Sequence, residues 1–149
     1  AVVVDQVAKL IARGTLEPYV PVTVIPGFFD LRLNFNTGAA FGVLPNWAPL
    51  FMVVALVAVF AIVRLRRSGP DSRALTVGLG LLLGGALGNL IDRIVLPGRA
   101  VTDFLSFHVN IGGNAHAWPT FNVADIAVVV GAGLLFLHVY ILEKRGATL

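Results

Sequence analysis

The sequence contains no cysteine and few charged residues. Only 13% of its 149 residues are Asp, Glu, Lys or Arg, whereas ordinary soluble domains carry about 25%. The absence of cysteine excludes both a disulfide framework and thiolate chemistry. Hydrophobic residues make up 57% of the chain, with a mean hydropathy of +0.87. A chain of this length has too little interior to bury so much apolar surface. We therefore expect one membrane-embedded domain over residues 1–149.

The apolar residues form segments close to the length of a membrane-spanning helix, which needs about 20 residues. The long segments are Trp47–Val63, Ala74–Ile91 and Val123–Leu142. A shorter one, Ala1–Val4, leads directly into charged residues. We interpret it as the second half of a first spanning helix, truncated at its N-terminus. The pattern predicts an α-helical integral membrane protein with four transmembrane helices.

The basic residues predict how these helices are oriented. The net charge of +3 could suggest nucleic-acid binding, but the basic residues flank apolar segments and are better explained as topology determinants. Six of them lie in the 64–73 loop and at the C-terminus, and three lie in the 14–46 and 92–121 loops. Because cytoplasmic loops are enriched in Lys and Arg, we expect both termini in the cytoplasm and both long loops outside.

Two stretches of the outer loops alternate apolar and polar residues. Phe29–Asn36 and Leu105–Ile111 do so without a break, which is typical of half-buried strands. We expect a small extracytoplasmic β-sheet on the membrane surface, with an irregular proline-rich approach to the first strand and a flexible glycine-containing stretch after the second. Its apolar face should consist of Leu31, Leu33, Phe35, Leu105, Phe107 and Val109, and its polar face of Arg32, Asn34, His108 and Asn110.

The polar residues that could take part in a reaction cluster at the outer ends of the predicted helices. Asn89 and Arg93 share one helix face, as do Asn122 and Asp125 on the next helix. Asp103 lies in the intervening loop, just before the second predicted strand. Two neighbouring carboxyl groups can share one proton, so that one activates water while the other donates to a carbonyl oxygen. This chemistry is that of an aspartic protease.

Structural roles also account for each of these residues. Asp125 can cap a helix N-terminus, Asp103 can be a solvated loop residue, and Arg93 can anchor a helix end at the lipid headgroups. Asp5 and Lys9 are spaced for an i, i+4 ion pair, which we interpret as structural.

Other candidate residues carry no chemical assignment. His108 and His116 lack metal-ligand spacing, so no metal site and no cofactor are predicted. Gly80, Gly84 and Gly88 recur every four residues, which favours close helix packing.

Five stretches, in this order, resemble the lipoprotein signal peptidase family, also called signal peptidase II. Together they span nearly the whole chain, and their combination is far more specific than any one of them. They are Asp5–Lys9, Asn36–Phe41, Gly84–Arg93, Val101–Phe104 and Phe121–Asp125.

The resemblance implies a four-helix membrane fold with an extracytoplasmic β-cradle and a catalytic pair formed by Asp103 and Asp125. It also implies a set of residues that support the pair or contact substrate, namely Asn36, Asn89, Arg93 and Asn122. Gly38, beside Asn36 in a run of small residues, would let the substrate backbone approach closely.

The implied reaction is removal of the signal peptide from a diacylglyceryl-modified bacterial prolipoprotein, with cleavage before the lipidated cysteine. The implied location is the bacterial cytoplasmic (inner) membrane, with the active site on its extracytoplasmic side. Expected partners are the prolipoprotein substrate and membrane phospholipid, with no nucleic acid, and the enzyme is expected to be a monomer.

Two other classes of protein were weighed against this one. A small proton- or cation-coupled transporter would place its carboxylate near the bilayer midplane, where this sequence has Gly, Leu, Val and Ala. A non-catalytic membrane scaffold would need neither carboxyl group. An assay of proteolysis separates all three classes.

Overall fold

A computed structural model describes residues 1–38, 53, 56–64, 72–112 and 114–144 of the chain. Its elements, in order, are helix α1 (Val2–Thr15), strands β1 (Pro21–Ile25) and β2 (Phe29–Asn36), a helical stretch α2 (56–64), helix α3 (Arg73–Val95), strands β3 (Val101–Ile111) and β4 (Asn114–Ala117), and helix α4 (Val123–Lys144).

Helix α1 buries its charged face and exposes its apolar one. Asp5, Lys9 and Ala12 lie on one side of the helix and are buried, the two charged residues completely. The opposite side exposes Val3 by 75%, Leu10 by 61% and Ile11 by 59%. Burying charge while exposing large apolar side chains is unfavourable in water and favourable in lipid. The helix therefore suits a membrane environment.

Helices α3 and α4 are long and apolar enough to cross a membrane, over Arg73–Val95 and Val123–Tyr140. They pack closely because glycine leaves room between them. A Cβ atom added at Gly85 would collide with the carbonyl oxygen of Ala124 and lie 2.6 Å from Val128. The packing role predicted for Gly80 is wrong as far as the described residues go, since a Cβ there would meet none of their atoms within 4 Å. The prediction of a helix over residues 47–63 is met from residue 56, and its first part lies largely outside the described residues.

The four strands form one antiparallel sheet in the order β1-β2-β3-β4. Strand β2 has the predicted bounds. Strand β3 begins at Val101, four residues before the predicted start, so Asp103 lies within the strand and not in the loop before it. The predictions of an irregular approach to β2 and of a flexible stretch after β3 were also wrong, because strands β1 and β4 form there.

A bulge in β2 changes which residues share a face of the sheet. Leu31 pairs with Leu105, but Asn34 pairs with Asp103, so β2 contains one extra residue between these two pairs. Directly paired residues lie on the same face. The predicted single apolar face is therefore wrong, because the bulge puts Asn34, in place of Leu33, beside Asp103.

The end of the β4–α4 loop is tied to β3. The backbone N–H of Leu105 donates to the Phe121 carbonyl at 2.9 Å, and the Phe121 N–H donates to the Leu105 carbonyl at 3.0 Å. The ring of Phe121 stacks on Phe107, with centroids 5.8 Å apart. Since Asp103 is two residues before Leu105 and Asn122 directly follows Phe121, this contact fixes the start of α4 against the strand that carries Asp103.

Candidate active site

Asp103 is buried and accepts a hydrogen bond at each carboxyl oxygen. The residue is 2% exposed. The amide of Asn36 donates to its Oδ2 at 3.2 Å, and the amide of Asn122 donates to its Oδ1 at 2.7 Å. Asn36 reaches it from β2 because Asn36 and Asp103 are diagonal neighbours on one face after the bulge.

Asp125 lies in the first turn of α4 and forms a reciprocal cap with Asn122. The Asn122 N–H donates to Asp125 Oδ2 at 3.1 Å, and the Asp125 N–H donates to Asn122 Oδ1 at 3.0 Å. Asn122 thus satisfies one of the free N–H groups of the helix end. The capping role considered from the sequence is present. It leaves Asp125 Oδ1 to accept from the Asn89 amide at 2.8 Å.

Asn122 joins the two carboxyl groups. It is completely buried, and its Nδ2 contacts both Asp103 Oδ1 and Asn89 Oδ1, the latter at 3.1 Å. Asp103 and Asp125 are therefore each one hydrogen bond from the same residue. The predicted cluster of the two aspartates with Asn36, Asn89 and Asn122 is brought together from β2, α3, β3 and α4.

Arg93 lies at the outer end of α3 and holds the segment after β2. Its guanidinium donates to the carbonyl of Gly38 at 2.9 Å and to that of Arg99 at 3.1 Å. The Gly38 N–H in turn donates to Asn36 Oδ1 at 3.0 Å. Arg93 thus connects α3 to the residue that supports Asp103.

A cluster of buried charged residues lies next to the site. The sequence analysis identified only part of this cluster. The predicted pair of Asp5 and Lys9 is formed at 2.9 Å, and the Lys9 ammonium also lies 3.4 Å from Asp92. Asp92 accepts from the backbone N–H of Thr102 at 2.8 Å, while Arg13 donates to the Thr102 hydroxyl at 2.7 Å.

Asp92 and Arg13 were missed because their partners lie far away in sequence. A local signal did exist for each. Asp92 is a charged residue that directly follows a long apolar segment, and Arg13 follows Asp5 and Lys9 at helical spacing.

The environment of Asp103 favours its protonated form. The pKa of Asp103 is raised to about 7, mainly by burial and also by the nearby charge of Asp125, while the hydrogen bonds from Asn36 and Asn122 and the charge of Lys9 oppose the shift. A carboxyl group of this kind can hold a proton near neutral pH. The site can therefore offer a general acid beside a second carboxyl group.

The described residues contain no group of three or more His, Cys, Asp or Glu side chains arranged to hold a metal ion. The described residues of the site carry carboxyl, amide and guanidinium groups.

Known proteins share both the sequence and the fold. The sequence model of the family described as signal peptidase (SPase) II matches residues 1–141. The lipoprotein signal peptidase of Symbiobacterium thermophilum is 49% identical over 148 residues, covering 98% of this chain and 93% of that protein. The lipoprotein signal peptidase of Pseudomonas fluorescens is 44% identical over 151 residues, covering 98% of this chain and 86% of that protein.

A solved bacterial membrane enzyme, determined by the in meso method at 2.3 Å resolution, has the same fold. It superposes with a TM-score of 0.83 at 31% identity, covering 97% of this chain and 85% of its own. Membrane-length helices, a small antiparallel sheet and a pair of carboxyl groups where the two meet are thus found in a chain that belongs to the signal peptidase II family of membrane peptidases.

Proposed function

We propose that Asp103 and Asp125 are the catalytic pair with which this peptidase removes signal peptides from bacterial prolipoproteins. The observation that carries the proposal is the position of Asn122, which bonds to both carboxyl groups where β3 meets the start of α4. Membership of the family supports the activity. The transporter considered from the sequence has no support from these relatives.

The reaction needs one ionised and one protonated carboxyl group. The ionised group takes a proton from water, and the water oxygen attacks the carbonyl carbon of the scissile amide. The protonated group donates its proton to the carbonyl oxygen as the tetrahedral intermediate forms. Collapse of the intermediate breaks the C–N bond, and the departing nitrogen takes the proton that came from water. A hydroxyl group of the intermediate returns its proton to the carboxylate that had donated one, which forms the product acid and restores the pair. Two carboxyl groups held by one buried asparagine suit this exchange.

The remaining predicted residues position the substrate and the pair. Asn36, Asn89 and Asn122 donate to the carboxyl groups, and Arg93 fixes Gly38 beside the site. Gly38 has no side chain, so an extended substrate backbone can pass close to it. We assign Asn36, Asn89 and Asn122 to orientation of the pair and Arg93 to substrate positioning.

The substrate is a prolipoprotein whose cysteine already carries diacylglycerol, and cleavage occurs just before that cysteine. Large apolar side chains exposed on α1 and α4, such as Leu10 at 61% and Phe136 at 75%, suit contact with acyl chains of substrate and phospholipid. The carboxyl groups lie at the N-terminal end of α4, where a lipidated peptide can meet water.

The distribution of basic residues supports a four-helix topology in the cytoplasmic membrane. It places the sheet and the carboxyl pair outside and both termini inside. We propose that the enzyme acts there as a monomer.

A gel-shift assay tests this function. The purified chain in detergent or lipid should convert a diacylglyceryl-modified precursor to a shorter product, and mass spectrometry should place the cut before the modified cysteine. The same precursor without the lipid is the matched substrate control and should be cleaved much more slowly. Absence of cleavage of the lipidated precursor would overturn the proposal.

A further inference from the structure

The ammonium group of Lys9 lies between two residues, Asn89 and Asp92, that connect it to the two aspartates. It is completely buried and lies 2.9 Å from Asn89 Oδ1, 2.9 Å from Asp5 and 3.4 Å from Asp92. Asn89 leads to Asp125, and Asp92 leads through the Thr102 backbone to the neighbouring Asp103. The ammonium group on α1 therefore contacts both the residue that bonds to Asp125 and the residue that bonds to the strand beside Asp103.

The charge of Lys9 decides which way the Asn89 amide points. An ammonium group can only donate hydrogen bonds, so the atom of Asn89 that faces it must be the oxygen. The amide nitrogen of Asn89 then faces Asp125 and donates to its Oδ1 at 2.8 Å. Asn122 also donates to the Asn89 oxygen, at 3.1 Å, but as a neutral amide. The charged donor both fixes and polarises the Asn89 amide.

The other two asparagines are oriented by backbone groups. The oxygen of Asn122 accepts from the Asp125 N–H, and the oxygen of Asn36 accepts from the Gly38 N–H. Their nitrogens must therefore face Asp103. Asn89, by contrast, is held by the charged ammonium group of Lys9.

The two carboxyl groups consequently have unequal surroundings. Asp125 accepts from a backbone N–H at the N-terminus of α4 and from an amide polarised by a cation. Both features favour a negative charge. Asp103 is more deeply buried and accepts from two amides whose oxygens are held by backbone N–H groups. Burial favours the neutral acid.

We propose that Lys9 is a positioning residue which, by holding the Asn89 amide, keeps Asp125 as the ionised member of the pair and leaves Asp103 to carry the shared proton. The inference rests on the proposed function and assigns the two roles within it. Asp125 is then the group that takes the proton from water, and Asp103 is the group that donates to the carbonyl oxygen.

Other charged groups also act on the pair and define the controls. The charge of Arg93 on α3 interacts with both aspartates, and the charges of Lys9 and Asp125 act on Asp103. Asp5 and Asp92 contact Lys9 directly. Loss of the lysine alone would leave their buried charges unbalanced and can destabilise the fold. The test therefore needs a variant that removes one positive and one negative charge together.

The experiment measures kcat/KM against pH for cleavage of a diacylglyceryl-modified precursor by the intact chain. The variants are Lys9→Met, the charge-balanced double variant Asp5→Asn with Lys9→Met, and Asp5→Asn alone as the matched control. In both variants that lack the lysine, the acid limb of the profile should move to higher pH by about one pH unit. Cleavage below the limb should fall about tenfold and recover as the pH rises.

The control separates this effect from loss of the ion pair. Asp5→Asn breaks the same ion pair but keeps the ammonium on Asn89, so its acid limb should not move to higher pH, while its thermal stability should fall. An unchanged acid limb in the double variant, or failure of that variant to fold, would overturn the inference and leave Lys9 a purely structural residue. Absence of cleavage by the wild-type chain at every pH would instead overturn the proposed function.

Discussion

The asparagine side chains of the candidate site are oriented by groups that can only donate hydrogen bonds. Backbone N–H groups orient Asn36 and Asn122, and an ammonium group orients Asn89. Asparagine offers one donor and one acceptor end, so fixing its oxygen fixes its nitrogen. Both carboxyl groups therefore accept hydrogen bonds from fixed donors of the protein, while the reaction moves protons among the carboxyl groups, water and the substrate.

The raised pKa of Asp103 predicts an alkaline limit to activity. Its pKa of about 7, caused mainly by burial, means that Asp103 is protonated below that pH and ionised above it. Since the protonated form is the proton donor, kcat/KM should fall as the pH rises through about 7. A pH profile on the lipidated precursor measures this. A profile that stays flat into the alkaline range would contradict a donor role for Asp103.

Arg93 is expected to affect catalysis more than folding. Its guanidinium holds the backbone of Gly38 and Arg99 at the edge of the site. Arg93→Ala should lower kcat/KM on the order of 10- to 100-fold, because misplaced substrate loses reactivity steeply. The thermal midpoint should change little, and Arg93→Lys serves as the charge-preserving control. Loss of folding in the alanine variant would support the structural role instead.

Sequence alone found the residues of the site better than it found their contacts. Spacing within one helix suggested that Asn89 and Arg93 share a face and that Asp5 pairs with Lys9. The bond from Lys9 to Asn89 joins residues 80 positions apart, and no local pattern encodes such a contact. The unequal roles proposed for the two aspartates depend on that bond, so they could not be predicted from the sequence.

The elements that carry the site were predicted unevenly, for identifiable reasons. Uninterrupted alternation in Phe29–Asn36 gave the bounds of β2. Strands β1 and β4 have five and four residues, too short for alternation to distinguish from turns. The β2 bulge was invisible because alternation assumes perfect pairing, yet it is what turns Asn34 and Asn36 to the face of Asp103.

Close packing of α3 against α4 is expected to be required for both stability and activity. A Cβ at Gly85 would meet the Ala124 carbonyl next to Asp125. Gly85→Ala should therefore destabilise the fold by about 1–3 kcal/mol through overpacking and reduce cleavage.

Gly80→Ala on the same helix is the matched control. Its new methyl group meets no atom of the described residues within 4 Å, so stability should change by less than about 1 kcal/mol. Thermal unfolding in one detergent measures both variants. Equal effects of the two substitutions would contradict the packing account.

At the scale of the whole molecule, the composition indicated a membrane protein, and the distribution of buried and exposed side chains agrees with it. Charged residues lie on the buried face of α1, while large apolar side chains point outward from α1 and α4. The reversal follows from the solvent, since lipid cannot hydrate a charge. The orientation of the chain across the membrane depends on flanking basic residues, whose effect is exerted during insertion and has to be measured separately.

The absence of cysteine makes that orientation directly measurable. In right-side-out cells, a single cysteine at Thr23, exposed on β1, should react with a membrane-impermeant maleimide. A single cysteine at Ser68, in the basic 64–73 loop, should react only after the membrane is opened. The reverse labelling pattern would contradict the proposed topology and place the sheet in the cytoplasm.

The central claim is that Asp103 and Asp125 together hydrolyse the lipidated precursor. The most direct test compares the single-turnover cleavage rates of Asp103→Asn and Asp125→Asn with that of Asp30→Asn, which removes a carboxyl group from β2 outside the pair. Each variant of the pair should lose activity by roughly 10²- to 10⁴-fold while retaining the wild-type thermal transition, because asparagine keeps the shape but cannot exchange the proton. The Asp30 variant should remain active. Substantial cleavage by either folded variant of the pair would contradict the account.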